Sequence, residues 1–428
     1  MLNLPLDTEK MRFSAFGDKF SGRSGILQLM DDLGKAMSSP KAPLMLGGGN
    51  PAFIPEVQSR IRARMQAMLA NGDEFERLIG NYETPQGNPA FIEALCTLLR
   101  THYGWGIAPP NVAITAGSQA SFFLLFNMFA GRFRDGQKKK ILLPMAPEYI
   151  GYTDLGLTEE LFTARRPEIE YLAPHRFKYH VDFEHIDLSP EVGAICFSRP
   201  TNPTGNVLTD QEVTRLMALA QARQIPLIID NAYGSPFPNI VFTAATPLWD
   251  EHTIVCLSLS KLGLPGARTG IVIAPEPVAQ AIAGMNAIFN LAPSSLGALL
   301  TLELVKSGEI IRLSQEVVKP YYRGKAEQAL GWLDIALEGL DYFVHHPEGA
   351  MFLWLWLRGL PIKSEQLYER LRRRGVVVVS GHYFFPGLEQ DWRPRRECIR
   401  ISYAQAPETV QQGIAVIGEE ARKAYREG

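Results

Sequence analysis

A series of short apolar runs, most of them soon followed by a residue that can do chemistry, constrains this fold more than any other feature. The runs cover residues 111–115, 140–143, 192–198, 226–230, 253–259 and 270–274. Helical spacings lie before and between them: one from Pro89 to Leu99 ahead of the first run, an apolar one from Ala120 to Ala130, and one opened by Thr209 and Glu212, the reciprocal pair of a capping box. Strands that alternate with helices fold into a largely parallel sheet, because right-handed crossovers lay each strand beside an earlier one. Ligands of such open sheets bind where the strands end. Ser118, Tyr149, Asn202, Asp230, Tyr233 and Lys261 all follow one of these runs closely. The pattern predicts an α/β fold with one shared site at the strand ends.

The texture changes after residue 290. Helical periodicity reaches about Leu333, and short strand-like runs follow at 342–345, 351–357, 376–379 and 399–403. A chain of 428 residues is too long for one simple core. The expected organisation is an arm and part of a small domain over 1–55, a large domain over 56–310, and a small α+β domain over 311–428. The segment Phe13 to Phe20 is rich in aromatics without a helical pattern, and is expected to be an arm packed on another surface.

A net charge of −2 argues against a dedicated nucleic-acid binder. The runs Lys138–Lys140 and Arg372–Arg374 read as solvated turns or helix faces. Cys96, Cys196, Cys256 and Cys398 lie far apart and the histidines show no ligand spacing, so no metal is expected. There is no disulfide signal, no basic-then-apolar leader, and no apolar run long enough to span a bilayer. The expected location is the cytoplasm, with no membrane partner.

Lys261 closes the apolar run that starts at Thr253. A buried, unpaired ammonium is costly, and a lysine made neutral by burial attacks carbonyl carbon. A strand-end lysine can also simply reach water. Gly117, Ser118 and Gln119 sit at a strand–turn–helix junction, where free N–H groups can hold an anion; a plain serine cap fits the same residues. Gly47, Gly48 and Gly49 allow close approach of a ligand or a sharp turn. Asp230 also fits a turn cap, and Tyr82 an ordinary loop tyrosine.

Asn202-Pro203-Thr204-Gly205, Asp230-Asn231-Ala232-Tyr233, Ser258-Leu259-Ser260-Lys261 with Arg268, and Arg400-Ile401-Ser402 together resemble the fold type I, class I aminotransferases that use pyridoxal 5′-phosphate. Their order and rough spacing match over most of the chain. The resemblance implies a large domain with a mainly parallel seven-stranded sheet flanked by helices, a smaller α+β domain, and a homodimer. It implies that Lys261 holds the cofactor as an imine and moves a proton, and that Asp230 pairs with the pyridine nitrogen. Asn202 and Tyr233 would bond the ring oxygen, and Tyr149 would stack on the ring. Ser118, Arg268, and Ser258 or Ser260 would hold the phosphate, with Gly117 and Gln119 shaping the turn and Tyr82 reaching over from the neighbouring subunit. Arg400 would grip the substrate α-carboxylate, helped by Asn202, with Gly49 letting substrate pass close to backbone.

The segments Phe16 to Phe20, Leu46 to Pro51, Ala146 to Tyr152 and His382 to Gly387 narrow this resemblance to transfer between a small branched amino acid and a 2-oxo acid, with valine and pyruvate the expected pair. Phe352-Leu353-Trp354 and Phe384-Phe385 are expected to form the side-chain pocket. A β-eliminating carbon–sulfur lyase could use the same lysine on the same fold. A non-catalytic regulator is a weaker rival, since such proteins carry a DNA-binding domain ahead of the family-like part, which here begins near Phe16.

Overall fold

The apolar runs pair as the periodicity predicts, because each is flanked by glycine, proline or polar turn residues that stop it. The computed structural model describes residues 12–22, 25–27, 30–31, 34, 43–172 and 174–427. The first residues, read above as lacking a leader, lie outside those described. The large sheet has eight strands, in the order Val112–Thr115, Gly270–Ile273, Thr253–Ser258, Leu227–Asp230, Val192–Ser198, Lys138–Leu143 and Gly131–Arg132, with Phe162–Ala164 also on Lys138–Leu143. Pairing is parallel from Thr253–Ser258 across to Phe162–Ala164. Gly270–Ile273 and the two-residue Gly131–Arg132 run antiparallel to their neighbours. This is the expected mainly parallel sheet with a short extra strand at one edge. Lys138–Lys140 are the start of a strand rather than a turn, because the chain becomes buried only from Ile141 onward.

Helices pack on this sheet with the expected ends. In Pro89–Tyr103 the Asn88 side chain accepts from the Phe91 N–H, and Gly104 at φ 67° closes the helix. Thr209 and Glu212 complete their capping box at the start of Asp210–Ala222. The arm contains a short helix, Ala15–Ser21, capped by Ser14. Its two turns are too short to show a period. It rests on the large domain through Phe20 against Phe123, 6.0 Å between centroids, and through Lys19, which donates to the Thr158 carbonyl at 3.0 Å.

A second sheet of six strands runs Val379–Ser380, Cys398–Ser402, Phe352–Leu357, Tyr342–His345, Arg176–Val181 and Pro167–Tyr171. The last two form a hairpin that lies in the chain between two strands of the large sheet, so the chain crosses between the two sheets there. The run 376–379, read as one strand, is two. Val376–Val377 pairs with Leu44–Met45, and Val379–Ser380 pairs with Cys398–Ser402. The chain changes partner at Val378, whose carbonyl packs on Gly47 so closely that a Cβ there would lie 2.9 Å away.

Candidate active site

The strand Thr253–Ser258 stops in a turn, Ser260–Leu262, closed by Gly263 at φ 115°. That turn lifts Lys261 over the sheet's rim. Its Nζ donates to the Gly49 carbonyl at 2.7 Å and lies 5.4 Å from the centre of the Tyr233 ring. Burial lowers its pKa to about 8; Arg400 and Arg268 push the same way and Asp230 opposes them.

Asp230 ends the neighbouring strand, in register with Cys256 on one side and Ser198 on the other. Its Oδ2 accepts from the Tyr152 hydroxyl at 2.6 Å and its Oδ1 from the Ala232 N–H at 3.1 Å. Burial raises this carboxyl to about 6, against the pull of those two bonds and of Lys261. Tyr149 stands edge-on to Tyr152, 5.4 Å between centroids, and both belong to the loop that follows Lys138–Leu143.

The far end of the cleft is built for an anion. Gly117, at φ 94°, turns the chain from Val112–Thr115 into the helix Ser118–Phe129. The Ala120 and Ser121 N–H groups bond the Gly117 carbonyl, so those of Ser118 and Gln119 have no acceptor within the helix. The Arg268 guanidinium lies directly on Gly117, where a Cβ would come within 2.2 Å of Nη2. Arg268 makes only long bonds to protein, 3.4 Å to the Ala116 carbonyl and 3.3 Å to that of Pro265. Ser260 lines the cleft. Ser258 is buried, with its Oγ accepting from the Ser260 N–H at 3.2 Å.

Arg400 occupies the opposite end, on the strand Cys398–Ser402 of the smaller sheet. Its Nη1 donates to Asn202 Oδ1 and its Nη2 to the Gly47 carbonyl, both at 2.7 Å, while Nε has no acceptor. The Phe352 and Phe384 rings lie 4.0 and 5.3 Å from its Cζ. Burial lowers its pKa to about 10, which leaves it charged at neutral pH. Those two rings were expected to line a side-chain pocket. They hold the guanidinium instead, because their strand and turn lie behind Arg400.

One cleft of about 630 Å³ joins these groups. Lys261, Asp230, Tyr233, Tyr149, Asn202, Ser118, Gln119, Ser260, Arg268, Arg400 and Gly49 all line it. Its apolar wall comes from Ile26, Met30, Pro43 and Met45. Gly117 lies beneath Arg268. Tyr82 is not brought to this cleft and is 83% exposed. The sequence reading missed Tyr152, Glu148 and Ser198. Tyr152 and Glu148 sit in a segment singled out for its resemblance, but their partners lie 78 and 50 residues away. Among the described residues no group of His, Cys, Asp and Glu could hold a metal, and no helix is long and apolar enough to cross a membrane.

The model of the class I and II aminotransferases matches residues 57–417. Valine–pyruvate aminotransferase of Escherichia coli K12 is 50% identical over 417 residues, covering 97% of this chain and 100% of that protein. The crystal structure of valine–pyruvate aminotransferase from Salmonella typhimurium LT2 superposes with a TM-score of 0.87 at 48% identity, covering 94% of this chain and 100% of that one. Aspartate aminotransferase of Thermus thermophilus shares the fold at 21% identity, with a TM-score of 0.75 over 96% of this chain and 100% of its own. By its matching family model and its half-identical relative, this chain belongs to the class I and II aminotransferases.

Proposed function

We propose that this aminotransferase uses pyridoxal 5′-phosphate to move an amino group between valine and pyruvate, yielding 3-methyl-2-oxobutanoate and alanine in alternating half-reactions. The observation that carries the reading is a convergence in one cleft. An amine that loses its proton near neutral pH, a buried carboxyl held by neutral donors, and a buried arginine with a free Nε all face the same space. The identity to the E. coli enzyme supports the substrate pair.

The residues fit the cofactor end by end. Arg268, Ser118, Ser260 and the free N–H groups of the helix start suit its phosphate, since a guanidinium fork and a helix N-terminus both favour such an anion. Asp230 suits the protonated ring nitrogen, Tyr149 the ring face, and Asn202 and Tyr233 the ring oxygen. When bound, the cofactor supplies an electron sink for the charge left on Cα. Lys261 is the group that takes and returns the Cα proton, because its lowered pKa leaves a neutral fraction at working pH. Asp230 would pair as a carboxylate with the protonated ring nitrogen, supported by the hydrogen bond from Tyr152. Arg400 pairs with the substrate carboxylate, backed by Asn202 and by two aromatic faces that keep water away.

The cations among the described lining residues are Lys261, Arg268 and Arg400, each with a task. None is left for a side-chain carboxylate, whereas Ile26, Met30 and Met45 suit an isopropyl or methyl group. The working unit is a homodimer in which Tyr82 reaches the partner's phosphate site. Its support is the exposure of large apolar side chains, Phe53 and Ile288 at 84% and Ile79 at 68%, as well as Tyr82 at 83%. The four cysteines, all free and buried, fit a reducing compartment such as the cytoplasm.

The test is direct. Purified protein with valine and pyruvate should give alanine and 3-methyl-2-oxobutanoate in equal amounts. Release of ammonia and pyruvate from an amino acid with a thioether on Cβ, without an acceptor oxo acid, would identify an eliminating lyase instead.

A further inference from the structure

Glu148 is fully buried, in the same loop that carries Tyr149. Its Oε1 accepts from the Ser198 N–H at 2.9 Å, and its Oε2 is hydrogen-bonded to the Ser198 hydroxyl. Its own N–H donates to the Phe384 carbonyl at 2.8 Å. The groups that act on the carboxyl are Ser198, the Tyr149 backbone and the Asp230 charge, none of them a cation. Tyr152 and Cys196 face it as well, and both feel its charge. Burial pushes its pKa up to about 8, against the two bonds from Ser198. A carboxylate sealed from water without a cation is costly, whereas a carboxylic acid with both oxygens bonded is not.

The position of this pair matters. Ser198 lines the cleft and is in register with Asp230 on the next strand. The Arg199 N–H bonds the Asp230 carbonyl at 2.9 Å, and the Ser198 carbonyl accepts from the Thr201 hydroxyl at 3.0 Å, one residue before Asn202. On the other side, Glu148 is joined by its own backbone to Tyr149 and lies four residues before Tyr152, which bonds Asp230. One side chain therefore ties together the two segments that carry Tyr149, Tyr152 and Asn202.

We propose that Glu148 is a positioning residue held as a neutral carboxylic acid, which donates to the Ser198 hydroxyl, accepts from the Ser198 N–H, and leaves Asp230 the sole carboxylate charge at this end of the sheet. The affinity readout below rests on the reading of Tyr149 and Asp230 as partners of the cofactor ring; the protonation readout does not.

A carboxylic acid and a primary amide present the same donor and acceptor pair. Glu148→Gln should therefore replace the wild type closely, and Glu148→Ala should not. The first measurement is the infrared difference spectrum between cofactor-free wild type and Glu148→Gln at pH 7. A protonated-acid carbonyl band in the wild type that the variant lacks supports the proposal; loss of carboxylate bands alone overturns it. The second is the dissociation constant for pyridoxal 5′-phosphate, read from its visible absorption. Glu148→Gln should stay within about threefold of wild type, and Glu148→Ala should weaken binding by about tenfold or more, the scale of a lost buried hydrogen bond. A Gln variant that binds the cofactor as weakly as the Ala variant overturns the proposal. If Glu148→Ala does not fold, the Gln variant and the infrared band still decide. Failure of the valine–pyruvate reaction would leave the infrared result untouched.

Discussion

The hydroxyl of Tyr152 donates to Oδ2 of Asp230 at 2.6 Å, and both groups are buried. This bond favours the charged form of Asp230 while burial disfavours it, and the outcome is a carboxyl that titrates near 6. Tyr152→Phe should therefore push Asp230 higher. A protonated Asp230 cannot hold a cationic ring nitrogen. The variant should bind pyridoxal 5′-phosphate more weakly by about tenfold near pH 6.5, with less loss at pH 8. Spectroscopic titration of the cofactor at the two pH values measures this. Equal losses at both would refute the link through Asp230.

Asp230 also shapes stability without cofactor. On folding its carboxyl rises from its ordinary value of 3.8 to about 6. Between those values the folded chain holds a proton that the unfolded chain has lost. Its contribution is thus most favourable below about pH 4, and stability falls as pH rises through about 6. Asp230→Asn should remove that slope and stabilise the cofactor-free protein at pH 7, on the order of 3 kcal/mol for a two-unit shift. Urea midpoints at pH 4.5, 6 and 7.5 provide the comparison. An unchanged slope would contradict the shift.

Lys261 should be the most reactive lysine of the cofactor-free protein. Its pKa is lowered to about 8, so the neutral fraction grows through a pH range where ordinary lysines remain charged. Borohydride trapping with pyridoxal 5′-phosphate should label the peptide containing Lys261, with a rate that rises to a midpoint near pH 8. Labelling that follows a midpoint above pH 10 would show an ordinary surface amine.

Tyr82 is expected to act across the dimer. A mixed dimer of one Tyr82→Phe chain and one Lys261→Ala chain then holds one intact site and one with both lesions. If Tyr82 acts within its own chain, each site carries one lesion. Cofactor affinity and activity of isolated mixed dimers separate these cases, and near half of wild-type activity with wild-type affinity is expected.

Valine, alanine and leucine should be used well, and aspartate poorly. A methylene in an apolar pocket is worth only about 1–3 kcal/mol, whereas a buried carboxylate without a cation is far costlier. Arg400→Lys should lower kcat/KM for every donor by a similar factor, since all carry the α-carboxylate. Ile26→Ala should instead alter valine relative to alanine, because Ile26 lies on the apolar wall. A wild type that prefers aspartate would reject the pocket.

Much of this site is legible in the sequence because its residues close strands. Lys261, Asp230 and Asn202 follow apolar runs, and a parallel sheet brings such ends to one rim whatever the loops do. Tyr152–Asp230 and Glu148–Ser198 were not legible, since nothing local to a tyrosine or a glutamate tells which strand end it will face. The run 376–379 looks uniform, yet it serves two sheets, because its partners, Leu44–Met45 and Cys398–Ser402, lie far from it and from each other in the chain. Phe352 and Phe384 read as a pocket because hydrophobicity does not say whether a ring faces substrate or the back of an arginine. The apolar wall comes from Ile26, Met30, Pro43 and Met45, where the sequence has no strong period.

The register of Ser198, Asp230 and Cys256 has a consequence for error tolerance. These residues lie side by side on three hydrogen-bonded strands, so strand spacing, about 4.8 Å, sets their separations. Connecting segments can lengthen, shorten or change composition without moving Asp230 relative to Ser198. Arg400 belongs to a different sheet and has no such guarantee. Variation in the linking segments should blur the placement of Arg400 long before it disturbs the spacing of Ser198 and Asp230.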